Sequence, residues 1–230
     1  MQLLHINDTF STGLSVNFAM QPIIGVPTMR PYGYELLYRG PRPVHWPLVD
    51  RVLLNYLAGN TRPRPALFIN LSNETVLTED LTKYVHAGAR SNTYFELTEA
   101  VSDLYEYREV SRRVNAFTAE GIRFAIDDFG GGLDGLQRHA ALHEIAFVKL
   151  DRLFMQLAKT NATTRRIVEM LVKEWTTANT STIAEGIETR DDLEFAMRLG
   201  VQMFQGFFVD ALLRSPTSTS QPIQARDIIR

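Results

Sequence analysis

The stretch from Arg123 to Asp151 constrains the fold of this chain more than any other. Its residues, RFAIDDFGGGLDGLQRHAALHEIAFVKLD, have the pattern of a strand, an acidic turn, a helix and a second strand. Asp127 and Asp128 end the first strand, and Lys149 lies near the end of the second. In parallel α/β folds, ligands bind at the carboxyl ends of the strands. Because two adjacent carboxylates repel each other, this pair predicts a divalent cation.

Short apolar runs with the residue types of β-strands recur along the chain. They occupy residues 18–24, 33–38, 66–70, 93–97, 122–127, 146–150, 181–185 and 201–205. The segment between the first two runs is too short for a helical crossover, so these two strands should pair antiparallel. The later runs alternate with helical patterns, which predicts parallel pairing. The sequence therefore predicts an α/β fold, a modified (β/α)8 TIM-like barrel with an antiparallel first strand.

Helical periodicity predicts four long helices between these strands. They span residues 48–58, 102–120, 164–178 and 189–199. Thr189 and Asp192 have the spacing of a capping box, and Gly121 and Gly200 follow the last helical residue of two helices. We predict one barrel domain, with a polar lead-in before it and a Ser/Thr/Pro-rich tail after it. Their bounds are 1–17 for the lead-in, 18–212 for the barrel and 213–230 for the tail.

Composition excludes several classes of function. The chain has 24 basic and 26 acidic residues and a formal net charge of −2, which argues against a protein that binds duplex nucleic acid. It has no cysteine, so disulfides and thiolate metal sites are excluded. No segment reaches the roughly 18 apolar residues of a membrane span, and the first residues lack the pattern of a signal peptide. We therefore expect a cytoplasmic protein without a membrane span.

Polar residues recur at or near the carboxyl ends of the predicted strands. They are Glu35, Asn70, Glu96, Asp127, Lys149, Glu185 and Gln205. A single polar residue in an apolar strand is usually a core group whose hydrogen bonds are satisfied. Recurrence in successive strands is harder to explain by packing alone, because a barrel brings these positions to one mouth. The pattern therefore predicts one shared site.

The donor types in this set are those of a magnesium or manganese site. Five residues, Glu35, Asn70, Glu96, Asp127 and Asp128, offer only hard oxygen ligands, which suit Mg²⁺ or Mn²⁺ rather than zinc. The carboxylates suffice for two ions, with Asp127 as the bridge between them. Two such ions are typical of enzymes that hydrolyse phosphodiesters.

Two cationic side chains fit the same chemistry. Arg39 is suited to clamp a phosphate, and Lys149 to orient the attacking water or neutralise developing charge. Each assignment has a structural alternative. The adjacent aspartates fit a helix cap, Arg39 an ordinary surface arginine, and Glu99 an acid at the start of the helix near Ser102.

Two other kinds of active site are compatible with parts of the same sequence pattern. Residues 130–135 match the pattern GxGxxG, which in a dinucleotide-binding fold follows a strand and opens a helix. Here two aspartates precede the glycines and would repel a pyrophosphate, so this interpretation is disfavoured. A Schiff-base role for Lys149 is also disfavoured, because Asp127, Asp128 and Asp151 would keep its amine charged.

Eight motifs occur in the order of a known family. They are QPI at 21–23, YELLYRG at 34–40, FINLS at 68–72, FELTE at 95–99, AIDDFGGG at 125–132, VKLDRLF at 148–154, AEGIET at 184–189 and QGFF at 205–208. Through them the chain resembles the EAL-domain cyclic-di-GMP phosphodiesterases of bacteria over residues 18–209. The resemblance implies a stand-alone EAL domain, a modified eight-stranded barrel with one antiparallel strand, and hydrolysis of cyclic-di-GMP to linear pGpG.

The resemblance also implies roles for particular residues. The ligands of a first metal ion match Glu35, Asn70, Glu96 and Asp127, and the acids of a second match Asp127 and Asp128. Residues that act around the catalytic water match Lys149 and Glu185, with Gln205 as a supporting polar group. Glu99 matches the glutamate that holds the loop after the two aspartates. Arg39 matches the phosphate-binding arginine, and the remaining substrate contacts match Gln21, Asp151 and Glu188.

The sequence departs from the family pattern at three places. Leu36 replaces the alanine of the EAL motif. Residues 133–135 are Leu-Asp-Gly where the family has Tyr-Ser-Ser, and 209–211 are Val-Asp-Ala where Ser-Lys-Pro is expected. The altered loop supports an alternative, a degenerate EAL domain that acts as a cyclic-di-GMP receptor or a protein-interaction module without turnover. Members of the family commonly form homodimers, but the sequence leaves the oligomeric state open.

Overall fold

A computed structural model describes residues 2–8, 12–41, 45–59, 65–85, 92–97, 104–132 and 135–214. The strands in these residues are β1 Gln2–Asp8, β2 Leu14–Gly25, β3 Arg30–Arg39, β4 Ala66–Leu71, β5 Thr93–Leu97, β6 Arg123–Phe129, β7 Phe147–Leu150, β8 Ser181–Ala184 and β9 Met203–Phe204. The α-helices are α1 Trp46–Gly59, α2 Asn73–Thr78, α3 Leu104–Ala119, α4 Gly135–Ala141, α5 Arg152–Thr160, α6 Ala162–Thr177, α7 Arg190–Arg198 and α8 Phe207–Arg214.

Strands β2 to β9 form a closed barrel. Neighbouring strands follow one another in chain order, and β2 also pairs with β9, which closes the sheet. Strand β2 is antiparallel to both β3 and β9, whereas every pair of neighbours from β3 to β9 is parallel. The predicted α/β barrel with an antiparallel first strand is therefore confirmed.

One strand, β1, was not predicted. It pairs antiparallel with the first half of β2, from Gln2 opposite Met20 to Asp8 opposite Leu14. Among the residues of β1, only Ile6 is buried. Backbone hydrogen bonds to β2 hold such an edge strand, so it needs no apolar run in the sequence. The polar composition that predicted a lead-in therefore gave no signal for this strand.

The four long helices predicted from periodicity correspond to α1, α3, α6 and α7. The Thr189–Asp192 capping box is present at the start of α7. Gly121 and Gly200 both have positive φ after their helices, a backbone conformation that glycine adopts most easily. Helices α2, α5 and α8 have six to nine residues and were not predicted. Helix α7 is as short as α5, but its capping box and the glycine after it marked its ends in the sequence. The predicted start at Ser102 and residues 215–230 lie outside the described part of the chain.

The barrel interior has an apolar floor and a polar upper layer. The rings of Phe68, Tyr94 and Phe147 pack together in the floor, with centroids 4.8–5.1 Å apart. Side chains two positions apart on a strand point to the same face. Asn70 therefore lies above Phe68, and Lys149 lies above Phe147. This alternation brings polar groups from successive strands into one layer at the carboxyl ends of the parallel strands.

Candidate functional site

A pocket of about 490 Å³ opens at the carboxyl ends of the parallel strands. It is lined by most of the residues predicted for the site: Gln21, Glu35, Asn70, Asp127, Asp128, Lys149, Asp151, Glu185, Glu188 and Gln205. Glu96 is fully buried and contacts Lys149. Arg39 instead lines a neighbouring cavity of about 620 Å³. Glu99 lies outside the described residues, so its predicted role stays a prediction.

The ammonium group of Lys149 lies at the centre of four carboxylates. Its Nζ atom is 2.8 Å from oxygens of Glu96, Asp127 and Glu185, and 3.3 Å from Glu35. The side chain is 1% exposed. A buried charge is costly unless it is paired, and here one cation faces four acids. The cluster therefore keeps an excess of negative charge that Lys149 alone does not neutralise.

Two amides tie the cluster to neighbouring strands. Asn70 Nδ2 donates to both Glu35 and Glu96, at 3.0 Å in each case. Gln205 Nε2 donates to Glu35 and, at 3.2 Å, to Gln21. Because its nitrogen faces the carboxylates, Asn70 would present its oxygen to a cation only after half a turn of the amide. The amides thus fix the positions of Glu35 and Glu96.

A local irregularity of β6 brings its two aspartates to the same site. In a regular strand, successive side chains point to opposite faces. Here Asp128 has φ of 51°, and the pairing of β6 with β7 shifts between Ile126 and Phe129. As a result, single carboxylate oxygens of Asp127, Asp128 and Glu185 all lie within 4.8 Å of one another. Positive φ costs a non-glycine residue about 1–3 kcal/mol, and such strain is common at functional sites.

Burial and mutual repulsion change the pKa values of the cluster. Burial and the charge of Glu35 hold the pKa of Glu96 well above its usual range, although Lys149 opposes this. Burial likewise raises the pKa of Glu185 to about 8, against the opposing charge of Lys149. For Glu35, burial is outweighed by Lys149, Gln205 and Asn70, and the pKa is lowered.

The carboxyl group of Asp128 and the amine of Lys149 also have shifted pKa values. Burial of the Asp128 carboxyl and the adjacent Asp127 raise the pKa of Asp128. Burial lowers the pKa of the Lys149 amine, but the surrounding acids outweigh it and hold that pKa well above its usual range. Lys149 is therefore a fixed positive charge at neutral pH, and the raised pKa values of Glu96, Glu185 and Asp128 reflect burial and repulsion that this one charge does not offset.

The residues present fit divalent cations. The three clustered carboxylates offer hard oxygen ligands, as Mg²⁺ and Mn²⁺ require. Gln205 Oε1 is buried and accepts no hydrogen bond within the described residues. A buried polar atom without a partner calls for an explanation, and a ligand in the pocket supplies one. The grouping differs from the predicted one, because Glu185 lies with the aspartate pair, whereas Glu35 and Glu96 are not part of this group.

One supporting residue, Arg138 on α4, was not predicted. It is 4% exposed, and its guanidinium donates to the backbone oxygens of Leu97 at 3.1 Å and Asp127 at 2.6 Å. These two oxygens belong to the ends of β5 and β6, so Arg138 ties together the two strands that carry Glu96 and Asp127. Nothing in the sequence pattern around Arg138 indicates this role, which depends on how α4 packs.

Asp151 and Glu188, both predicted to contact the substrate, line the pocket but have partners of their own. One oxygen of Asp151 caps α5 by accepting from the backbone N–H groups of Leu153 and Phe154. Glu188 accepts from Arg152 at 2.9 Å. Arg39 is exposed and donates to the carbonyl of Tyr38. The structure thus brings Arg152, rather than Arg39, to the edge of the acidic pocket.

The described helices include none that is long and apolar enough to cross a membrane.

Comparison with known proteins places this geometry in context. The sequence model of the EAL domain matches residues 47–211. The cyclic di-GMP phosphodiesterase PdeL of Escherichia coli (strain K12) is 33% identical over 86 residues, which cover 37% of this chain and 24% of that protein. The probable cyclic di-GMP phosphodiesterase PdeN of the same strain is 22% identical, over 92% of this chain and 44% of that protein. The chain thus spans less than half the length of these relatives.

A solved structure supports the same relationship. The standalone versatile EAL protein from Vibrio cholerae O395, crystallised in its c-di-GMP-bound form, is 25% identical to this chain. The TM-score is 0.68, and the match covers 83% of this chain and 89% of that one. The similarity therefore extends over most of both chains, including the barrel that carries the acidic pocket.

Proposed function

The chain belongs to the EAL-domain family, and from this membership we propose that it hydrolyses cyclic-di-GMP to linear pGpG with two divalent cations, Mg²⁺ or Mn²⁺. One observation carries the proposal. Oxygens of Asp127, Asp128 and Glu185 lie within 4.8 Å of one another, directly beside the buried Lys149. Relatives named as cyclic di-GMP phosphodiesterases support the choice of substrate.

The proposed ligands are the oxygen donors of the cluster. Glu35, Asn70, Glu96 and Asp127 would hold one ion, and Asp127 and Asp128 the other. When bound, the cations supply positive charge that activates a water and stabilises the reacting phosphoryl group. Their charge also offsets the burial and the repulsion that raise the pKa values of Asp128 and Glu185.

The remaining residues bind the substrate and orient the water. Lys149 and Glu185, which contact each other at 2.8 Å, would hold the attacking water in line with the bond that breaks. Gln205 keeps Glu35 in place through its amide hydrogen bond. The ring of Phe207 lines the pocket and is 71% exposed, so it offers an apolar face on which a nucleobase can stack. Water adds across one P–O bond, and the ring opens to a linear dinucleotide.

The test is incubation of the purified protein with cyclic-di-GMP and Mn²⁺, with the products separated by chromatography. We expect wild type to form pGpG and Glu35→Ala to lose at least about 100-fold in rate, since a buried ligand and its hydrogen bonds disappear. The matched control is Glu169→Ala, which removes an exposed carboxylate on α6. It should keep the wild-type rate. Ca²⁺ should not support turnover, because its looser coordination misplaces the water.

Two other results of this experiment would contradict parts of the proposal. Turnover by Glu35→Ala at the wild-type rate would contradict the ligand assignment. If wild type leaves the nucleotide intact, calorimetry with cyclic-di-GMP and Ca²⁺ decides between the alternatives. Binding without turnover would support a receptor, which is the alternative that the altered sequence at 133–135 suggests. Absence of binding would support a protein-interaction module.

A further inference from the structure

We propose that Arg152 binds the second, non-reacting phosphodiester of cyclic-di-GMP, and that Glu188 holds this arginine when no substrate is present. The proposal deepens the proposed function and rests on it, because it assigns a specificity-determining residue to the same pocket. It gives the site a reason to prefer a substrate with two phosphodiesters over one with a single phosphodiester.

Among the charged side chains that line the pocket, Arg152 is the cation that is available to bind the second phosphate. Among the described lining residues, six carboxylates face two cations, Lys149 and Arg152. Lys149 is buried and engaged by four acids, so it cannot reach a phosphate outside the cluster. The side chain of Arg152 is 51% exposed and therefore accessible from the pocket. An anionic substrate that enters this acidic pocket needs such a cation.

The backbone provides a seat for the side chain of Arg152. Gly186 follows β8 with φ of 61°, and a Cβ atom built on it would lie 2.5–2.6 Å from the Cβ, Cγ and Cδ atoms of Arg152. Only a glycine leaves room for the arginine stem at this point. The stem is thus laid across the edge of the pocket, which lowers the entropy that the guanidinium loses when it binds an anion.

The present partner of Arg152 is one that a phosphate can replace. Glu188 accepts a hydrogen bond from Arg152 Nη2 at 2.9 Å, and its side chain is 38% exposed. An exposed pair of this kind contributes only about 0–1 kcal/mol, so exchange for a phosphate costs little. The planar guanidinium matches two phosphate oxygens at once. Glu188 therefore keeps Arg152 in position and releases it when the substrate arrives.

The substrate has the matching chemistry. Cyclic-di-GMP contains two phosphodiester groups, each with one negative charge, and only one of them can react at the clustered carboxylates of Asp127, Asp128 and Glu185. The other must lie elsewhere in the same pocket. Arg39, which the family resemblance connects with a phosphate, lines the neighbouring cavity and donates to the carbonyl of Tyr38. Arg152 is therefore the arginine that the described lining of the acidic pocket offers to the second phosphate.

The experiment compares ligands that carry two phosphodiesters or one. Dissociation constants of cyclic-di-GMP and of the linear dinucleoside monophosphate GpG are measured by calorimetry with Ca²⁺ present. Arg152→Met should weaken binding of cyclic-di-GMP by roughly 10- to 100-fold, the usual effect of losing a hydrogen bond to a charged group. Binding of GpG should weaken by less than about 3-fold. The control, Arg112→Met, removes an arginine from an equivalent exposed pair with Glu109 on α3 and should change neither constant.

The role of Glu188 has its own variant. Glu188→Gln removes the competing charge and should tighten binding of cyclic-di-GMP by about 2- to 5-fold. Weaker binding by this variant would overturn the role of Glu188 as the resting partner. Equal losses for cyclic-di-GMP and GpG in Arg152→Met, or no loss, would overturn the assignment of Arg152.

The proposal and the proposed function can fail separately. If wild type binds cyclic-di-GMP but does not cleave it with Mn²⁺, the phosphodiesterase proposal fails while the comparison of the two ligands still decides the role of Arg152. If wild type cleaves cyclic-di-GMP and Arg152→Met has an unchanged KM, only the inference fails. If wild type binds no cyclic-di-GMP, both are overturned.

Discussion

Replacement of Lys149 by methionine removes the charge that holds the acidic cluster together. Methionine has nearly the length of lysine and keeps its packing, so the change isolates the charge. The Nζ atom that disappears lies 2.8 Å from Glu96, Asp127 and Glu185 and 3.3 Å from Glu35. Without it, four carboxylates face one another in the barrel. We expect Lys149→Met to fold with lower stability and to lose all turnover.

The magnitude follows from these contacts. At an effective dielectric constant of about 20, each contact with an ionised carboxylate contributes about 5–6 kcal/mol of attraction. The raised pKa values of Glu96 and Glu185 reduce the number of such contacts near pH 7. Desolvation of the charges and repulsion among the four acids offset most of this sum. Removal of one partner from a buried ion pair typically costs about 3–5 kcal/mol. With an m-value of about 3 kcal/mol per molar urea, the unfolding midpoint of the metal-free protein should fall by roughly 1–1.7 M.

The assay is urea unfolding in the presence of a chelator, followed by the fluorescence of Trp46 and Trp175. Trp175 is 3% exposed, and its environment changes strongly on unfolding. The control is Lys83→Met, whose amine is exposed and pairs with Asp80 at 3.4 Å; its midpoint should move by less than about 0.2 M. Added Mn²⁺ should restore part of the stability of Lys149→Met, because the cation replaces the missing charge.

The dependence on pH separates a charge effect from a packing effect. The pKa of Glu35 is lowered in the folded protein, although burial opposes this, because Lys149 and two amides stabilise the ionised form. The resulting stability is present above the ordinary pKa of about 4.5 and is lost as the pH falls through the lower folded value. The deficit of Lys149→Met should therefore be largest near neutral pH and shrink below about pH 4.5. A midpoint shift under 0.3 M, or a deficit that is equal at pH 4 and pH 7, would refute the reasoning.

Two further predictions concern acids with opposite pKa shifts. Burial and the charge of Asp127 raise the pKa of Asp128. Asp128→Asn should therefore stabilise the metal-free protein at pH 7 by up to about 1 kcal/mol, and this gain should vanish near pH 3. The same variant should no longer be stabilised by Mn²⁺. At Asp192, hydrogen bonds from Lys159, Thr189 and Gln156 outweigh burial and lower the pKa to about 2. Asp192→Asn should therefore cost about 1–2 kcal/mol at pH 7 through loss of the capping box, and the cost should shrink as the pH falls from about 4 toward 2.

Both predictions are measured by urea unfolding with and without Mn²⁺. Asp191→Asn is the matched control for Asp192→Asn, because Asp191 also pairs with Lys159 at 2.6 Å but its side chain is 68% exposed. It should change stability by less than about 0.5 kcal/mol. A destabilised Asp128→Asn at pH 7 would contradict the idea that the aspartate pair strains the metal-free protein. A cost at Asp192 that is independent of pH would assign its effect to packing.

Much of the barrel and of the site follows from short-range patterns. The apolar runs and the helical periodicity predicted the eight strands that close the barrel, because both depend on neighbouring residues alone. The period of two in a strand also explains why polar residues at its end share a face. Asn70, Glu96, Asp127 and Lys149 were therefore predictable from their positions.

The features that escaped prediction depend on contacts between distant segments. The turned backbone of Asp128 and the shift in pairing beside it arise where β6 meets β7. The hydrogen bonds from Arg138 to the backbone of Leu97 and Asp127 depend on the packing of α4 against two strand ends. The position of the Arg152 side chain requires a glycine at 186, which is 34 positions later in the sequence. No local pattern encodes such pairs, since they form only when the barrel closes.

The energetics of the metal-free site distinguish the candidate functions. Replacement of a buried ion pair by well-packed apolar residues often leaves the stability of a protein unchanged or raises it by about 1–4 kcal/mol. A module that only contacts other proteins has no use for four carboxylates around Lys149 at the centre of its barrel. A nucleotide receptor needs groups that bind phosphate and base, such as Arg152 and Phe207. A receptor does not need the positive φ of Asp128 that brings its carboxylate beside Asp127 and Glu185. The proposed function explains this strained pair, because there it would bind cations beside the attacking water.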